Sequence, residues 1–535
     1  MAHQSFCRCS GHGRSVTRFL RLMFIGIGAA TIAGCSTLDP QPLSVEEINS
    51  LAESARVESK EGVEPIEGEL TLEQAIARAM KYNLTWRIRM MEEALSRNQF
   101  DVGRYDMLPK LTASAGYSAR NNYHLTSAVD SVTGEPSLSN PFISNDREHT
   151  TTGLGLTWNT LDFGISYYNA KQNADRLLMA TEKRRKAMHT LIQDVNAAYW
   201  RAASAQALKP QVSEAIELAE DALDKSRAEQ TEQLRGAEES LRYQRQLLEN
   251  LRLLEIINKQ LASAKVELAH LINAPVGEEI KLAEMKFDLP QEILKQPMAQ
   301  LEKTAIDNNA EVRRKIYDTR IAVVEAKKTL LKVFPRLNLN FDYKHDDDRY
   351  LVNDSWREVG GLISFNLFNL LSLDSRQKFA DAGVALSEQK MMATLMAVIA
   401  KVHIARLDYE GARRQFKRAD EVWQVDSQLR QHTSNAVKSR VQGELQLVAQ
   451  RTITVLSLLR RYQAYADAQA AAGRLQASLG LEPEIGSVHD TDLSDLISAV
   501  EIGIDRWHQG LLPDNREVGA TSKDDAEISP AVSMQ

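Results

Sequence analysis

The sequence is poor in the residues that interrupt regular structure. Its 535 residues include 26 glycines and 14 prolines, together about 7.5% where an average protein has roughly 12%. That scarcity excludes collagen-like and Pro/Gly low-complexity chains and favours long regular elements. Cysteine is scarcer, with three residues. Two of them, Cys7 and Cys9, stand near the N-terminus, so beyond Cys35 no disulfide and no cysteine-based metal site can form. Beyond the N-terminal segment no apolar run reaches 18 residues, which removes a transmembrane helix from consideration; the best rival, Met391 to Val402, has the length of a buried helical stretch. Basic blocks are also missing. Lys and Arg number 65 against 72 Asp and Glu, a net charge of −7, and such a balance argues against nucleic acid as a partner. HExxH and GxSxG patterns are absent, and no Gly-Lys pair can build a phosphate loop. The residues therefore point to no enzyme, no catalytic group, no metal and no cofactor. With 43% hydrophobic and 26% charged residues, the chain is nonetheless a folding one.

What is present begins with an export signal. Residues 1–34 carry Arg8, Arg14, Arg18 and Arg21 and no acid, and Leu22 to Ala33 is a 12-residue apolar run, too short to span a bilayer and typical of a signal peptide core. Without this segment the chain holds 61 basic against 72 acidic residues. Ile32-Ala33-Gly34-Cys35 follows and resembles the bacterial lipobox, in which the Cys thiol is acylated and the chain is cut before it. The alternative is an ordinary cleaved signal beside a chance cysteine. On the first reading Cys35 is the lipidation site, and Ser36 after it resembles lipoproteins sorted to the outer membrane.

The remainder is an internal duplication. At a constant offset of 226, Ala79, Asn83, Arg87, Pro109, Leu111 and Tyr117 coincide with Ala305, Asn309, Arg313, Pro335, Leu337 and Tyr343. Further on the offset is 207, pairing Leu156-Thr157-Trp158-Asn159 with Ile363-Ser364-Phe365-Asn366 and Gly236 with Gly443; Leu271 and Pro275 match Leu479 and Pro483 at 208. The change falls between Tyr117 and Trp158, so the first copy has the longer loop there. The expected organisation is a signal peptide (1–34), an acylated tether (35–69) with a short helix from Ser44, a first repeat (70–290), a second repeat (291–483), an accessory amphipathic helix (484–513) carrying Leu493, Leu496, Ile497, Val500 and Ile504, and a disordered tail (514–535).

Each repeat reads as a helix, two strands and a long helical hairpin. Thr71-Leu72-Glu73-Gln74 is a capping-box pattern that opens a helix over about 71–106, with a counterpart over about 298–332. Leu111, Ala113, Ala115 and Tyr117 alternate with small polar residues, as do Leu154, Leu156 and Trp158. The second copy sets Leu337, Leu339, Phe341, Tyr343, Ile363, Phe365 and Leu367 against Asn338, Asn340, Asp342, Ser364 and Asn366. This period of two predicts strands with one apolar and one polar face. Between them lie polar loops, 121–146 and 345–355. Leu247, Leu254, Leu261 and Leu268, interleaved with Ile257, Ala264 and Leu271, form a coiled-coil seam. Gly236 and Gly443 mark the expected hairpin turns, giving a descending helix of about 70 residues and a returning one of about 36. At 1.5 Å per residue the long helix reaches about 105 Å. Pro210 within it is expected to kink it locally.

Four strands with one apolar face cannot close a barrel, and an open sheet leaves unpaired edges, so closure requires several copies. The apolar strand faces would then meet outer membrane lipid, with Tyr117, Trp158 and Tyr343 near its boundaries, and the asparagines would line a watery lumen.

At this point the chain resembles the TolC-like outer membrane factor family, lipoprotein type. The marks are Leu70-Thr71-Leu72-Glu73-Gln74-Ala75, Leu108-Pro109-Lys110-Leu111 with Phe334-Pro335-Arg336-Leu337, and the Trp158 to Gly164 strand end, over about 71–483. The resemblance implies a mainly α fold with a transmembrane β part: a homotrimer whose duplicated hairpins form a periplasmic helical tube continuous with a 12-stranded outer-membrane barrel. It implies a passive exit duct for a tripartite efflux pump or a type I secretion system, working with a periplasmic adaptor and an inner-membrane transporter. It also implies a periplasmic gate near the hairpin ends, where Gly236, Glu238, Glu239, Gly443, Glu444 and Gln446 are the candidate residues. Family members commonly carry acids after the turn glycine; here the aligned positions are Gln446 and Ala449, and a neutral gate weakens cation selectivity. Two other classes stand beside this one. A periplasmic adaptor would own one hairpin and many short Gly-rich strands, and a structural coiled-coil lipoprotein would have no alternating strand pairs. His345-Asp346-Asp347-Asp348 is expected as a solvated loop rather than a cation site. Met90-Met91 and Met391-Met392 are expected in packed helical seams.

Overall fold

The computed structural model describes residues 42–137, 140–231, 237–275, 277–278, 280–439, 444–483 and 491–513. The signal segment, Cys35 and the tail from 514 lie outside them. The chain divides after Gly62 into two units. The first contributes one described helix, α1 (Val45–Glu58), opened by a capping box in which Ser44 and Glu47 exchange hydrogen bonds of 3.1 and 2.9 Å.

The second unit holds both repeats. The first runs α2 (Leu72–Tyr82), α3 (Leu84–Tyr105), β1 (Lys110–Ala119), β2 (His124–Thr126), β3 (Phe142–Asn145), β4 (Glu148–Asn159), α4 (Thr160–Thr231) and α5 (Ala237–Leu271). After a linker come α6 (Glu292–Lys295), α7 (Met298–Asn308), α8 (Ala310–Leu331), β5 (Arg336–Asp346), β6 (Ser355–Ser364), α9 (Phe368–Leu371), α10 (Leu373–Lys438), α11 (Glu444–Leu479) and α12 (Leu493–His508). The hairpin lengths are as expected: 72 and 35 residues in the first repeat, 66 and 36 in the second. At 1.5 Å per residue α4 is about 108 Å long. It runs uninterrupted through Pro210.

Three local readings are corrected. Each leading helix, expected as one piece, is two. The break falls at Asn83 and, 226 residues on, at Asn309, whose backbones agree within a few degrees (φ −65°, ψ 122° and φ −68°, ψ 123°). No proline or glycine is needed, because each asparagine ends one helix and caps the next: Asn83 Oδ1 accepts from Trp86 N and Asn309 Oδ1 from Glu311 N, both at 2.9 Å. Their amides donate to the carbonyls of Leu271 and Ser478 at 2.9 and 3.0 Å, so the break is locked to the end of the returning helix of its own repeat. The 121–146 loop is not plain coil; β2 and β3 form a small hairpin in it. Finally, β6 stops at Ser364, so Asn366 is off the sheet and its Oδ1 accepts from Phe368 N at 3.1 Å, opening α9.

The coiled-coil seam is buried as read, with Leu247 and Leu254 at 0% and Leu268 at 1% exposure. One core cluster joins α2, α4, α5 and α12 through Ile76, Met80, Val195, Leu268, Leu496 and Val500. The second joins α7, α10 and α11 through Leu301, Val402, Tyr409 and Leu475. Trp507 of α12 packs in this second cluster, so α12 spans both.

Candidate channel-forming surfaces

The sheet order is β1-β4-β5-β6, all antiparallel. Strands of 10 to 12 residues are the length that crosses a bilayer when tilted. The register places apolar residues in rows: Leu111, Leu156, Phe341 and Val359 are aligned, as are Ala113, Leu154 and Tyr343, then Trp158, Leu339 and Gly361. The row holding Tyr343 ends at Arg357, the one charge in it. This face is uncovered, with Leu111 at 65%, Phe341 at 49% and Val359 at 77% exposure. Trp158 and Tyr117 sit toward opposite strand ends, while Tyr343 lies between them rather than at an end.

The other face carries Lys110, Thr112, Ser114, Thr157, Asn338, Asn340, Asp342, Lys344, Glu358 and Ser364. Asn338 pairs with Asn159, and Lys344 with Glu358 at 2.7 Å. Gly155 belongs to this face because a Cβ there would stand 2.5 Å from Asp342 Oδ1. Trp356 and Leu362 also point this way, exceptions to its polarity.

Helices continue the sheet in the same lateral order. α3 packs on α4, α4 on α8, and α8 on α10; below the breaks the order is α5, α4, α11, α10. The sheet ends in β1 and β6, and the helical layer ends in α3 and α5 on one side and α10 on the other. Among the described residues neither β1 nor β6 has a second strand partner.

Where the repeats meet, the joint is ionic. Glu182 on α4 lies between Arg185 (2.8 Å) and Arg313 (3.1 Å), and Arg185 also bonds Glu482 (2.7 Å) and the Asn308 carbonyl (3.3 Å). His189 stands 3.3 Å from Glu482. Burial pushes the Glu182 carboxyl up in spite of both arginines, and the surrounding acids raise Arg185 although burial opposes them. Above this, Asp175 pairs with Arg320 at 2.7 Å, and Gln172 bonds Glu325 at 2.8 Å and the Ile321 carbonyl at 3.3 Å. Nothing in the sequence marks this cluster: its charges are spaced like those of any solvated helix face, and only the packing of α4 against α8 and α11 gathers them.

The sequence-selected residues fare unevenly. Cys35, Gly236 and Gly443, and the side chains of Glu239 and Glu444, lie outside the described residues. Glu238 is exposed and paired with Arg242 at 2.6 Å, and Gln446 is exposed. Of the acidic run at 346–348, Asp347 is exposed as expected, but Asp346 is half-buried and Asp348 is buried. Asp348 is 2% exposed and accepts from Asn145 Nδ2 (3.0 Å), Asp146 N (3.1 Å) and Tyr350 N (3.0 Å), while Asp346 meets His149 at 2.7 Å. It fastens the outer loops of the two repeats to each other. Met90 is half-buried, but Met91 and Met392 are exposed, contrary to the expectation of a packed seam. Among the described residues no helix is long and apolar enough to cross a membrane, and no group of three His, Cys, Asp or Glu could hold a metal ion.

No family model and no curated protein matches this sequence. Solved structures do. The chain is similar to the outer-membrane channel OprN, at 15% identity and a TM-score of 0.59, over 76% of this chain and 89% of that one. It is similar to the Campylobacter jejuni CmeC outer membrane channel, at 11% identity and 0.62, over 82% and 89%. It is also similar to the Neisseria gonorrhoeae MtrE outer membrane channel in its open state, at 15% identity and 0.58, over 76% and 88%. The strand order, the uncovered apolar sheet face and the broken leading helices thus belong to a chain with the fold of the outer membrane channels, the architecture that its resemblance to the TolC-like outer membrane factors implies.

Proposed function

We propose that this chain is the protomer of a homotrimeric outer membrane channel, a passive exit duct for a tripartite efflux pump or a type I secretion system. The observation that carries the reading is the coincidence of edges: the sheet and the helical layer end on the same two sides, so one operation closes both. Three copies give twelve strands. Pairing β6 with β1 of the next copy satisfies the backbone groups that each edge leaves open, and lipid covers the apolar rows. Each of Leu111, Phe341 and Val359 would gain roughly 1.5–3 kcal/mol on leaving water. The polar face then lines the lumen. No enzymatic step is assigned; energy would come from an inner-membrane transporter reached through a periplasmic adaptor at the hairpin ends, where Gly236, Glu238, Glu239, Gly443, Glu444 and Gln446 would form or border the gate. Cys35 would carry the acyl anchor, and α12 would lie outside the tube wall.

Extraction from outer membranes in mild detergent, followed by mass measurement and electron microscopy, tests this. A three-fold hollow particle with a stalk of about 100 Å is expected. A monomer or a solid rod overturns the channel and leaves a structural envelope lipoprotein as the better account.

A further inference from the structure

The helical layer has two unlike faces. On one of them lie the accessory segments. Ile192 of α4 lines a cavity together with Val500 and Ile504 of α12, and on α10 His403 meets Glu302 of α7 at 2.8 Å while Arg406 donates to the Leu294 carbonyl of α6 at 2.7 Å. Nine residues are two and a half helical turns, so Lys183, Thr394 and Ala397, each nine before one of these three, stand on the opposite face. In a closed tube the accessory segments must lie outside, since inside they would obstruct the passage. The opposite face is then the lumen wall.

On that face α8 and α10 border a groove of about 380 Å³, lined by Glu311, Arg314 and Lys315 on one side and by Thr394, Ala397, Val398 and Lys401 on the other. Its charges do not balance. Lys315 pairs with Asp318 at 2.8 Å, and Lys186 of α4 pairs with Glu311. Arg314 and Lys401 make no ion pair among the described residues, but both act on Glu311 from farther off: burial raises its carboxyl, yet Lys186, Lys401 and Arg314 together hold it below the ordinary range. Three cations thus face one carboxylate, an excess of two positive charges in each copy. The first repeat has no counterpart, because the positions equivalent to Arg314 and Lys401 are Ile88 and Asp194.

We infer that this groove is a station for organic anions on the lumen wall, taking a solute with a carboxylate, phosphate or sulfonate group on a small apolar body. The inference rests on the channel reading and adds a substrate class to it. Arg314 offers a planar fork that can donate to two oxygens of such a group, and Lys401 adds a point charge. Thr394 brings a hydroxyl, and Ala397 and Val398 give the apolar body a surface. The volume lies within the range of small-molecule sites, about 300–1,000 Å³. Because the groove is open and Lys401 is exposed, water screens its charges and binding is weak, as a duct requires: a solute must leave as readily as it enters.

The test is equilibrium dialysis of naphthalene-1-sulfonate against the full-length protein in mild detergent, with the same sample imaged by electron microscopy. Saturable binding is expected, weakened about tenfold or more in Arg314→Gln with Lys401→Gln, and likewise weakened in about 0.5 M salt. Both side chains lack ion-pair partners, so the double variant is expected to keep the helical circular dichroism of the parent. The uncharged naphthalene-1-methanol is expected not to compete. A three-fold hollow particle that binds the sulfonate equally with and without the two cations, or not at all, overturns the station and leaves the channel standing. Cation-dependent binding by a particle that is not a hollow trimer overturns the duct and with it the place of the groove on a lumen wall.

Discussion

Asn83 and Asn309 occupy one backbone conformation, cap their helices alike and tie to the end of a returning helix alike, 226 residues apart. A few residues away the two repeats share almost no chemistry. Around Asn309 the neighbouring α4 brings Glu182, Arg185 and His189 to Glu482, whereas the equivalent positions of the duplication hold Ala274 near Asn83 and, on α10, the exposed Gln389, Met392 and Met396. The lesson is that residues fixing main-chain shape resist divergence in a duplicated chain, while residues facing a neighbour diverge as soon as the two neighbours differ in kind. One repeat meets its own chain there and the other presents a free edge.

The comparison breaks most visibly at Arg185. Replacing it alone by Met leaves the buried Glu182 and the half-buried Glu482 without their shared cation and is expected to cost about 3 kcal/mol, read as a fall in chemical or thermal midpoint. Transplanting the chemistry of the other flank, Glu182→Gln with Arg185→Met, His189→Met and Glu482→Ala, is expected to cost less than the single change, since no buried charge is stranded. If the fourfold variant is the worse of the two, the charges specify the joint and do not merely neutralise one another.

Next in size is the helix end. Both returning helices finish in a left-handed residue, Asn273 (φ 54°) and Gly480 (φ 72°), again 207 apart. At Gly480 a Cβ would stand 2.6 Å from the Asn308 carbonyl oxygen and 2.9 Å from Asn309 N. Gly480→Ala is therefore expected to destabilise by about 2–4 kcal/mol, whereas Asn273→Gly is expected to shift the thermal midpoint little or upward. Equal effects at the two sites would mean that the hinges are less alike than their dihedrals indicate.

The smallest effect is at Asp175. Burial raises its carboxyl above the usual range although Arg320 opposes the shift. The folded chain thus holds this proton more tightly than the unfolded one, so the group's stabilising contribution is present at low pH and is lost as pH rises through the raised value. Asp175→Asn should be neutral or slightly stabilising at pH 7, by about a degree in melting midpoint, and should flatten the pH dependence on the alkaline side of the ordinary carboxylate range. A clear loss of stability at pH 7 would instead assign net benefit to the Arg320 pair.

Much of this architecture was legible because it repeats and because it is long. Offsets of 226 and 207, the leucine seam at 247–268 and the alternation at 337–343 each report a periodic element whose period the sequence carries directly. The breaks at Asn83 and Asn309 were not legible. An asparagine inside a helical pattern carries no stop signal until the carbonyl it reaches, 188 residues away in the first repeat, is known. The same holds for Asp348, two of whose donors come from the other repeat. Met91 and Met392 misled for the opposite reason: an apolar residue at helical spacing looks the same in the sequence whether its face is packed or exposed.

The uncovered rows of β1, β4, β5 and β6 also bear on how such a molecule is made. On the channel reading proposed above, a solitary copy would have no inside: until it met its siblings it would carry two raw strand edges and a greasy face into an aqueous compartment. Assembly and entry into the bilayer would then be one concentration-dependent event, and the vulnerable species would be the unassembled monomer.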